Sequence, residues 1–229
     1  MAETLAAVRS FGYEGVEFAG FYGWRSPEIR ELLHANSLTP CGSHTPLDQL
    51  TGDKFAETVA FNREIGNRNL IVPGLPPGYE SLDGWMRAAA LFNQLAERLK
   101  PFGMRIGYHN HAVEFQPMAN QVPWNVFFSR AEPSVIMQVD LGNARIGGAD
   151  PIARLRRYPG RAWSIHVKDW LPGQPDVLLG SSDFDWRTLC RVCETTAGTQ
   201  WYIIEHESKD RPSLDAARES LQRFQRLRG

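Results

Sequence analysis

Apolar, β-prone runs recur along the chain, each followed by turn residues and then by an amphipathic segment. The runs occupy residues 15–19, 38–44, 69–74, 105–111, 135–141, 162–168 and 201–207, and their starts lie 23, 31, 36, 30, 27 and 39 residues apart. That spacing is the length of a strand–helix unit. NLIVPG, SVIMQV and WYIIE are apolar without alternation, as expected of parallel strands covered on both faces. The intervening segments carry helix signals. SPEIRELLHAN offers Ser26 as N-cap, Pro27 at the first helical position, and Ile29, Leu32 and Leu33 on one face. From Ser81, Trp85, Ala88, Phe92, Leu95 and Leu99 recur at helical spacing until Pro101 and Gly103. DPIARLRRYPG opens on Asp150-Pro151 and stops at Pro159-Gly160, and the last segment aligns Leu214, Ala217, Leu221 and Phe224. Between Leu47 and Ile65 the pattern breaks at Thr51-Gly52, with Asp53 as the candidate cap.

No linker or composition shift divides residues 1–229, so one domain is expected. Alternating strands and helices leave an open doubly wound sheet or a barrel. The open sheet expects a G-x-G-x-x-G turn after an early strand, and the chain has none. The barrel expects polar residues at the carboxyl ends of many strands, which is the pattern present. The predicted fold is therefore α/β, of (β/α)8 TIM-barrel type. The count is seven strands and eight helices, beginning with the helix ETLAAVRSFGY, so the first strand is apparently lacking. Seven strands do not easily close such a barrel. The first and last runs should flank a gap, and their open edges are a template for a second copy of the chain, so a homodimer is an expected partner.

Composition narrows the function. Lysine and arginine total 25 against 26 acidic residues, a net charge of -1. That lacks the basic excess of general nucleic-acid or membrane-surface binders. No apolar run reaches the roughly 18 residues a membrane helix requires, and the first residues do not read as a signal peptide. Three cysteines suit a reducing cytoplasm rather than a disulfide framework. Cys190 and Cys193 form a C-x-x-C pair inside a helical pattern and read as packed helix residues.

Five of six histidines, His44, His109, His111, His166 and His206, fall at the ends of strand runs; His34 lies mid-helix. Glu17, Asp140 and Glu205 join them. Alternate strand residues share a face, so His109 and His111 should point together, as should His166 and Lys168. In a barrel these ends converge on one mouth. Buried carboxylates need a partner or a metal, and a His/Asp/Glu set suits one divalent ion, Mn²⁺, Co²⁺, Mg²⁺ or Zn²⁺. Asp140, His166 and Glu205 are the strongest ligand candidates. The fourth comes from GYHNHAVEF, either His109 or Glu114; Glu114 is favoured because a second carboxylate better neutralises the ion. Phe21, Tyr22, Trp24 and Trp170 lie near the same ends and offer a stacking wall or lid, or simply a covered rim.

YHNHAVEF, QVDLGNARIGGADP, SIHVKDW and YIIEHES, in this order, resemble the sugar phosphate isomerase/epimerase group of the xylose-isomerase-like TIM-barrel superfamily. GYEGVEFAGFYG and GSHTPL match its early strands, so the likeness covers almost the whole chain. The resemblance implies a divalent-metal barrel acting on sugars, inositols or related polyols. By position it makes Asp140, His166 and Glu205 metal ligands, and His44, His111, Asn143 and Lys168 substrate contacts. Glu17, at the mouth, is assigned to substrate as well. The chain departs from that group in His109, where many members carry a glutamate. It also departs in Gly180-Ser181-Ser182, which lacks an acid, and in the missing first strand.

Such a site would hold a carbonyl and its neighbouring hydroxyl and stabilise an enediolate. Glu205 and His109 are the candidate bases, and Lys168 the cation near developing negative charge. Proton return gives a sugar isomerase or epimerase. Loss of a β-oxygen gives a lyase, such as an inosose-type dehydratase. An inactive binding domain is the third reading. An endonuclease is a distant fourth, lacking the histidines and basic groove it would need.

Overall fold

The computed structural model describes residues 1–174, 176–207 and 210–229. Seven strands, β1 Gly15–Phe18, β2 Thr39–His44, β3 Asn69–Val72, β4 Arg105–His109, β5 Ile136–Asp140, β6 Ser164–Val167 and β7 Trp201–Ile204, form one sheet in chain order. Every neighbouring pair is parallel. With helices over its outer face the sheet curls into a nearly closed barrel, the predicted TIM-barrel type. Every strand except β2 stops earlier than its apolar run. His111, Lys168 and Glu205 therefore lie just past strand ends, where side chains gather at the mouth.

Nine α-helices occur among the described residues. They are α1 Ala2–Phe11, α2 Ser26–Ala35, α3 Lys54–Glu64, α4 Leu82–Leu99, α5 Pro123–Phe128, α6 Leu141–Ile146, α7 Pro151–Arg157, α8 Trp186–Val192 and α9 Ser213–Arg228. The one beyond the expected eight is α6. It starts directly after β5 because the Asp140 carboxylate accepts from the Asn143 amide at 2.7 Å, which caps it. Ser81 and Asp150, where the sequence starts these segments, cap α4 and α7. Ser26 does not cap α2: Arg25 is the cap, and the Ser26 hydroxyl donates to Glu64 at 2.6 Å. Cys190 and Cys193 are buried, free, and part of the main core. No described helix is long and apolar enough to cross a membrane.

The main apolar core fills the layer between β3–β7 and the outer helices. Leu5, Phe18, Ile29, Leu33, Leu38 and Ile65 form a second, smaller core beneath α1 and α2. As the strand count anticipated, no ladder joins β7 to β1 among the described residues. The seam is partly packed. The Trp201 ring lies so close to Gly15 that a β-carbon there would stand 2.6 Å from it. Tyr13 reaches across and donates its hydroxyl hydrogen to the Ala217 carbonyl at 2.8 Å. A cavity of about 180 Å³ remains, lined by Val8, Val16, Trp201, Ile203 and Ala217 among others.

Candidate metal centre

In-register pairing sets the site. His109 faces Gln138 across β4–β5, and Asp140 faces His166 across β5–β6. Gln138 and Asp140 share the inner face of β5, two residues apart, as Ser164 and His166 do on β6. Asn110 fixes the end of β5: its Oδ1 accepts from the Asp140 amide at 2.9 Å, and its Nδ2 donates to the Asp140 carbonyl at 3.2 Å.

The structure brings together His109, Asp140, His166 and Glu205, one ligand-type atom from each lying within 4.8 Å of the others. His109, Asp140 and His166 are buried, and Glu205 is half-buried. Glu114, favoured for the fourth place, is not among them. It is buried in the turn Val113–Phe115, where Oε1 accepts from Tyr108 Oη at 2.6 Å and Oε2 from the His111 amide at 2.9 Å. Both oxygens are engaged locally, so the carboxylate braces the loop, and His109 stands where the fourth ligand was expected. Of the Asp140 carboxylate only Oδ1 is used; Oδ2 is buried without a hydrogen-bond partner. An orphaned anionic oxygen is costly in a protein interior. Beside two imidazoles and a second carboxylate it fits a divalent cation, whose preferred donors are these.

Glu17 reaches the same layer but turns inward, its side chain only 4% exposed. Oε2 accepts from His166 Nε2 at 2.6 Å and lies 3.2 Å from His44 Nε2, while Oε1 accepts from Gln138 Nε2 at 2.8 Å. Gly42 makes this possible, because a β-carbon there would collide with the Glu17 carboxylate. The carboxylate touches histidines where a substrate contact was expected. His44 stacks on His166 with ring centroids 5.3 Å apart. His111 is exposed beyond β4 rather than buried with His109, its ring 5.3 Å from that of His109. Asn143 donates to the Asn110 carbonyl at 3.3 Å. Lys168 donates to Glu205 Oε1 at 3.1 Å and also pairs with Glu207. His206 faces Asp176, away from the cluster, and His34 is exposed on α2.

The electrostatics follow from burial and pairing. Burial alone would raise the Glu17 and Glu205 pKa values. The charge and hydrogen bonds of His166 outweigh it, and both carboxyls lie below their ordinary range. His166, which burial would neutralise, is raised to about 10 by those same carboxylates. Burial, then the charges of His166 and His44, lowers His109 to about 2, so this imidazole is neutral. Burial raises Asp140 to about 7, helped by Glu205. Burial opposes the Lys168 charge, but Glu205, Asp140 and Glu207 hold its pKa above the ordinary value.

Of the rim aromatics, Tyr22 is 80% exposed, whereas Phe21 and Trp24 pack on the small core. Trp170 lies against the Arg145 guanidinium, 5.7 Å from the ring centroid. Arg145 in turn holds Asp169, which also takes the Ser181 and Ser182 amides at 3.0 Å. The loop without an acid is thus anchored through its backbone. Sequence reasoning missed Gln138, Ser164 and Asn110. Placement offered a signal for Gln138: it precedes Asp140 by two in a strand and so shares its face.

Comparison with solved structures places the chain near a sugar phosphate isomerase/epimerase from Parabacteroides distasonis. The TM-score is 0.79 at 23% identity, covering 97% of this chain and 86% of that one. An L-ribulose 3-epimerase gives 0.74 at 16% identity, covering 99% and 88%. These likenesses speak for the fold. Among curated proteins, the rhizopine catabolism protein MocC of Rhizobium meliloti is 24% identical over 213 residues, 85% of this chain and 64% of that protein. An inosose dehydratase of Lacticaseibacillus casei is 30% identical over 144 residues, 55% of this chain and 48% of that protein. The matches thus span between about half and two thirds of these curated relatives. The sequence pattern of the xylose isomerase-like TIM barrel matches residues 5–227, nearly the whole chain, and this protein belongs to that family.

Proposed function

We propose that this protein is a divalent-metal-dependent isomerase or epimerase of a sugar, sugar phosphate or related polyol. The observation that carries the reading is the convergence of His109, Asp140, His166 and Glu205 around an orphaned Asp140 oxygen at the carboxyl end of the barrel. These four would hold one ion, Mn²⁺, Co²⁺, Mg²⁺ or Zn²⁺. When bound, it would supply Lewis-acid stabilisation of the negative charge left when a proton leaves the carbon beside a carbonyl. Glu205 sits at the rim as an ionised carboxylate able to take that proton and return it. Lys168, beside Glu205, places an ammonium where oxyanion charge develops. His111 and Asn143, past the ends of β4 and β5, are positioned for substrate hydroxyls. His109, neutral and buried, serves as fourth ligand rather than base.

One observation favours a second reading, a dehydratase. Glu205 is the single glutamate of the four-residue cluster. With Glu114 turned away, a two-glutamate exchange across opposite substrate faces has no second partner. One carboxylate suffices to remove a proton and, once protonated, assist departure of a β-hydroxyl. The similarity to inosose dehydratases agrees with this. Self-association through the open strand edges and a cytoplasmic setting belong to the same proposal. The test incubates Mn²⁺-loaded protein with keto-sugars, sugar phosphates and inososes in D₂O. An isomerase or epimerase incorporates deuterium with no other change of composition, whereas a dehydratase product has lost water and absorbs in the ultraviolet. Absence of both, with no uptake of ion, would leave only the binding-domain reading.

A further inference from the structure

We propose that Gln138 is a positioning residue. Held by the Glu17 carboxylate, its amide fixes His109 in the tautomer protonated at Nδ1, so that Nε2 carries the lone pair offered to the ion. The inference rests on the metal-site reading above and concerns how this chain prepares its fourth ligand.

Gln138 is fully buried on β5, in register opposite His109. Its Nε2 lies 2.8 Å from Glu17 Oε1 and 2.9 Å from Ser164 Oγ. Its Oε1 lies 3.0 Å from His109 Nδ1 and 3.3 Å from His44 Nε2. An ionised carboxylate only accepts hydrogen bonds. The amide nitrogen must therefore face Glu17, since the flipped amide would set two oxygens against each other. With the amide fixed, the atom facing His109 Nδ1 is a carbonyl oxygen, which also only accepts. The hydrogen must sit on Nδ1. A neutral imidazole has one N–H, so the lone pair is left on Nε2.

The same carboxylate sets His166 directly. Glu17 Oε2 takes the hydrogen of His166 Nε2, while Nδ1, which faces the Glu205 carboxylate, carries a hydrogen of its own. One glutamate on β1 thus orients two rings, His166 by contact and His109 through Gln138. A hydrogen-bond partner behind a ligating imidazole orients the ring and fixes its tautomer, and losing one costs about 10–100-fold in metal affinity. Glu17, Gln138 and Ser164 are those partners here.

The test uses the full chain, labelled with ¹⁵N in its histidines and treated with chelator, with tautomers read from long-range ¹H–¹⁵N spectra. Wild-type His109 should be protonated at Nδ1. In Gln138→Met, which keeps the shape but neither donates nor accepts at that point, the Nε2-protonated form should grow. It should also grow in Glu17→Gln, whose amide no longer dictates the orientation of Gln138. Calorimetry with Mn²⁺ should then show affinity lowered about 10–100-fold at unchanged stoichiometry. Wild-type His109 protonated at Nε2 overturns the relay whatever the variants do. So does a Gln138→Met protein with wild-type tautomer and affinity. If Gln138→Met does not fold, the wild-type spectrum and Glu17→Gln decide. If wild-type protein takes up no Mn²⁺, the metal reading fails, while the spectra still decide the tautomer relay.

Discussion

Strands β5 and β6 are buried at every residue, whereas β7, paired to β6 along its length, is half-buried at every residue. β1 on the other side of the seam resembles β7, with only Phe18 buried. The difference is one of neighbours. β5 and β6 have a strand on each side and helices behind, so neither edge nor face meets water. β1 and β7 each have one open edge, and the seam between them holds a ring, a tyrosine bridge and a cavity in place of a ladder. Yet β1 supplies Glu17, which reaches His166 on β6, 149 positions away, and Gln138 on β5, 121 positions away. Where backbone pairing does not close the barrel, charge-assisted hydrogen bonds through its interior tie β1 to the far wall. Such bonds to charged groups contribute about 1.5–3 kcal/mol each. The closed arc is thus held by burial, and the open side partly by the polar network beneath the site.

The sharpest way to break the closed arc is Asp140→Ala. It removes the orphaned oxygen and the cap of α6 together, and it should abolish stoichiometric uptake of Mn²⁺ by calorimetry and native mass spectrometry. Stability should fall by about 1 kcal/mol through loss of the cap. Retained binding would remove Asp140 from the ligand set.

Packing offers the next contrast. Ile165→Ala in β6, at a fully buried position, should cost about 2–5 kcal/mol in urea unfolding. Ile203→Ala in β7, at a half-buried position in register with His166, should cost less than half as much. Equal costs would mean that the seam is as well packed as the wall.

Between the two regions lies the Glu17–His166 pair. In chelator-treated protein His166 is raised from 6.5 to about 10, so the folded state holds a proton that the unfolded chain releases. The resulting stability is complete below pH 6.5 and is lost as pH rises through 10. Asp140, raised to about 7, acts in the same direction over a lower window. The melting temperature should therefore fall as pH rises from 6.5 toward 10, and Glu17→Gln should flatten that fall. A wild-type curve that rises across this window contradicts the charged His166.

The smallest effect is at the open edges. Amides of β1 and β7 should exchange with solvent at least about tenfold faster than those of β4 and β5, because local opening there disrupts less burial. Sedimentation over a hundredfold concentration range should show self-association that weakens when Ile203→Lys charges the β7 edge. A strictly monomeric chain at every concentration would remove the partner-copy expectation.

The sequence by itself determined the alternation of strands and helices. It also placed Asp140, His166 and Glu205 at the ends of three consecutive strands, because periodicity and apolar runs are local properties. The count of seven strands, which the described residues show, was legible for the same reason. Tertiary structure alone decided which neighbours these residues meet. Glu114 was favoured over His109 in one short motif, yet it is His109 that the structure brings to the cluster. Glu114 is satisfied by Tyr108 and the His111 amide on its own loop, whereas His109 stands in register with Gln138 and faces the barrel axis. Glu17 looked like a mouth residue, but space opened by Gly42 turns it inward onto His166. Gln138 carries no chemistry that a motif would flag. Its role comes from standing between Glu17, Ser164 and His109, which only the closing of the sheet brings within hydrogen-bond reach.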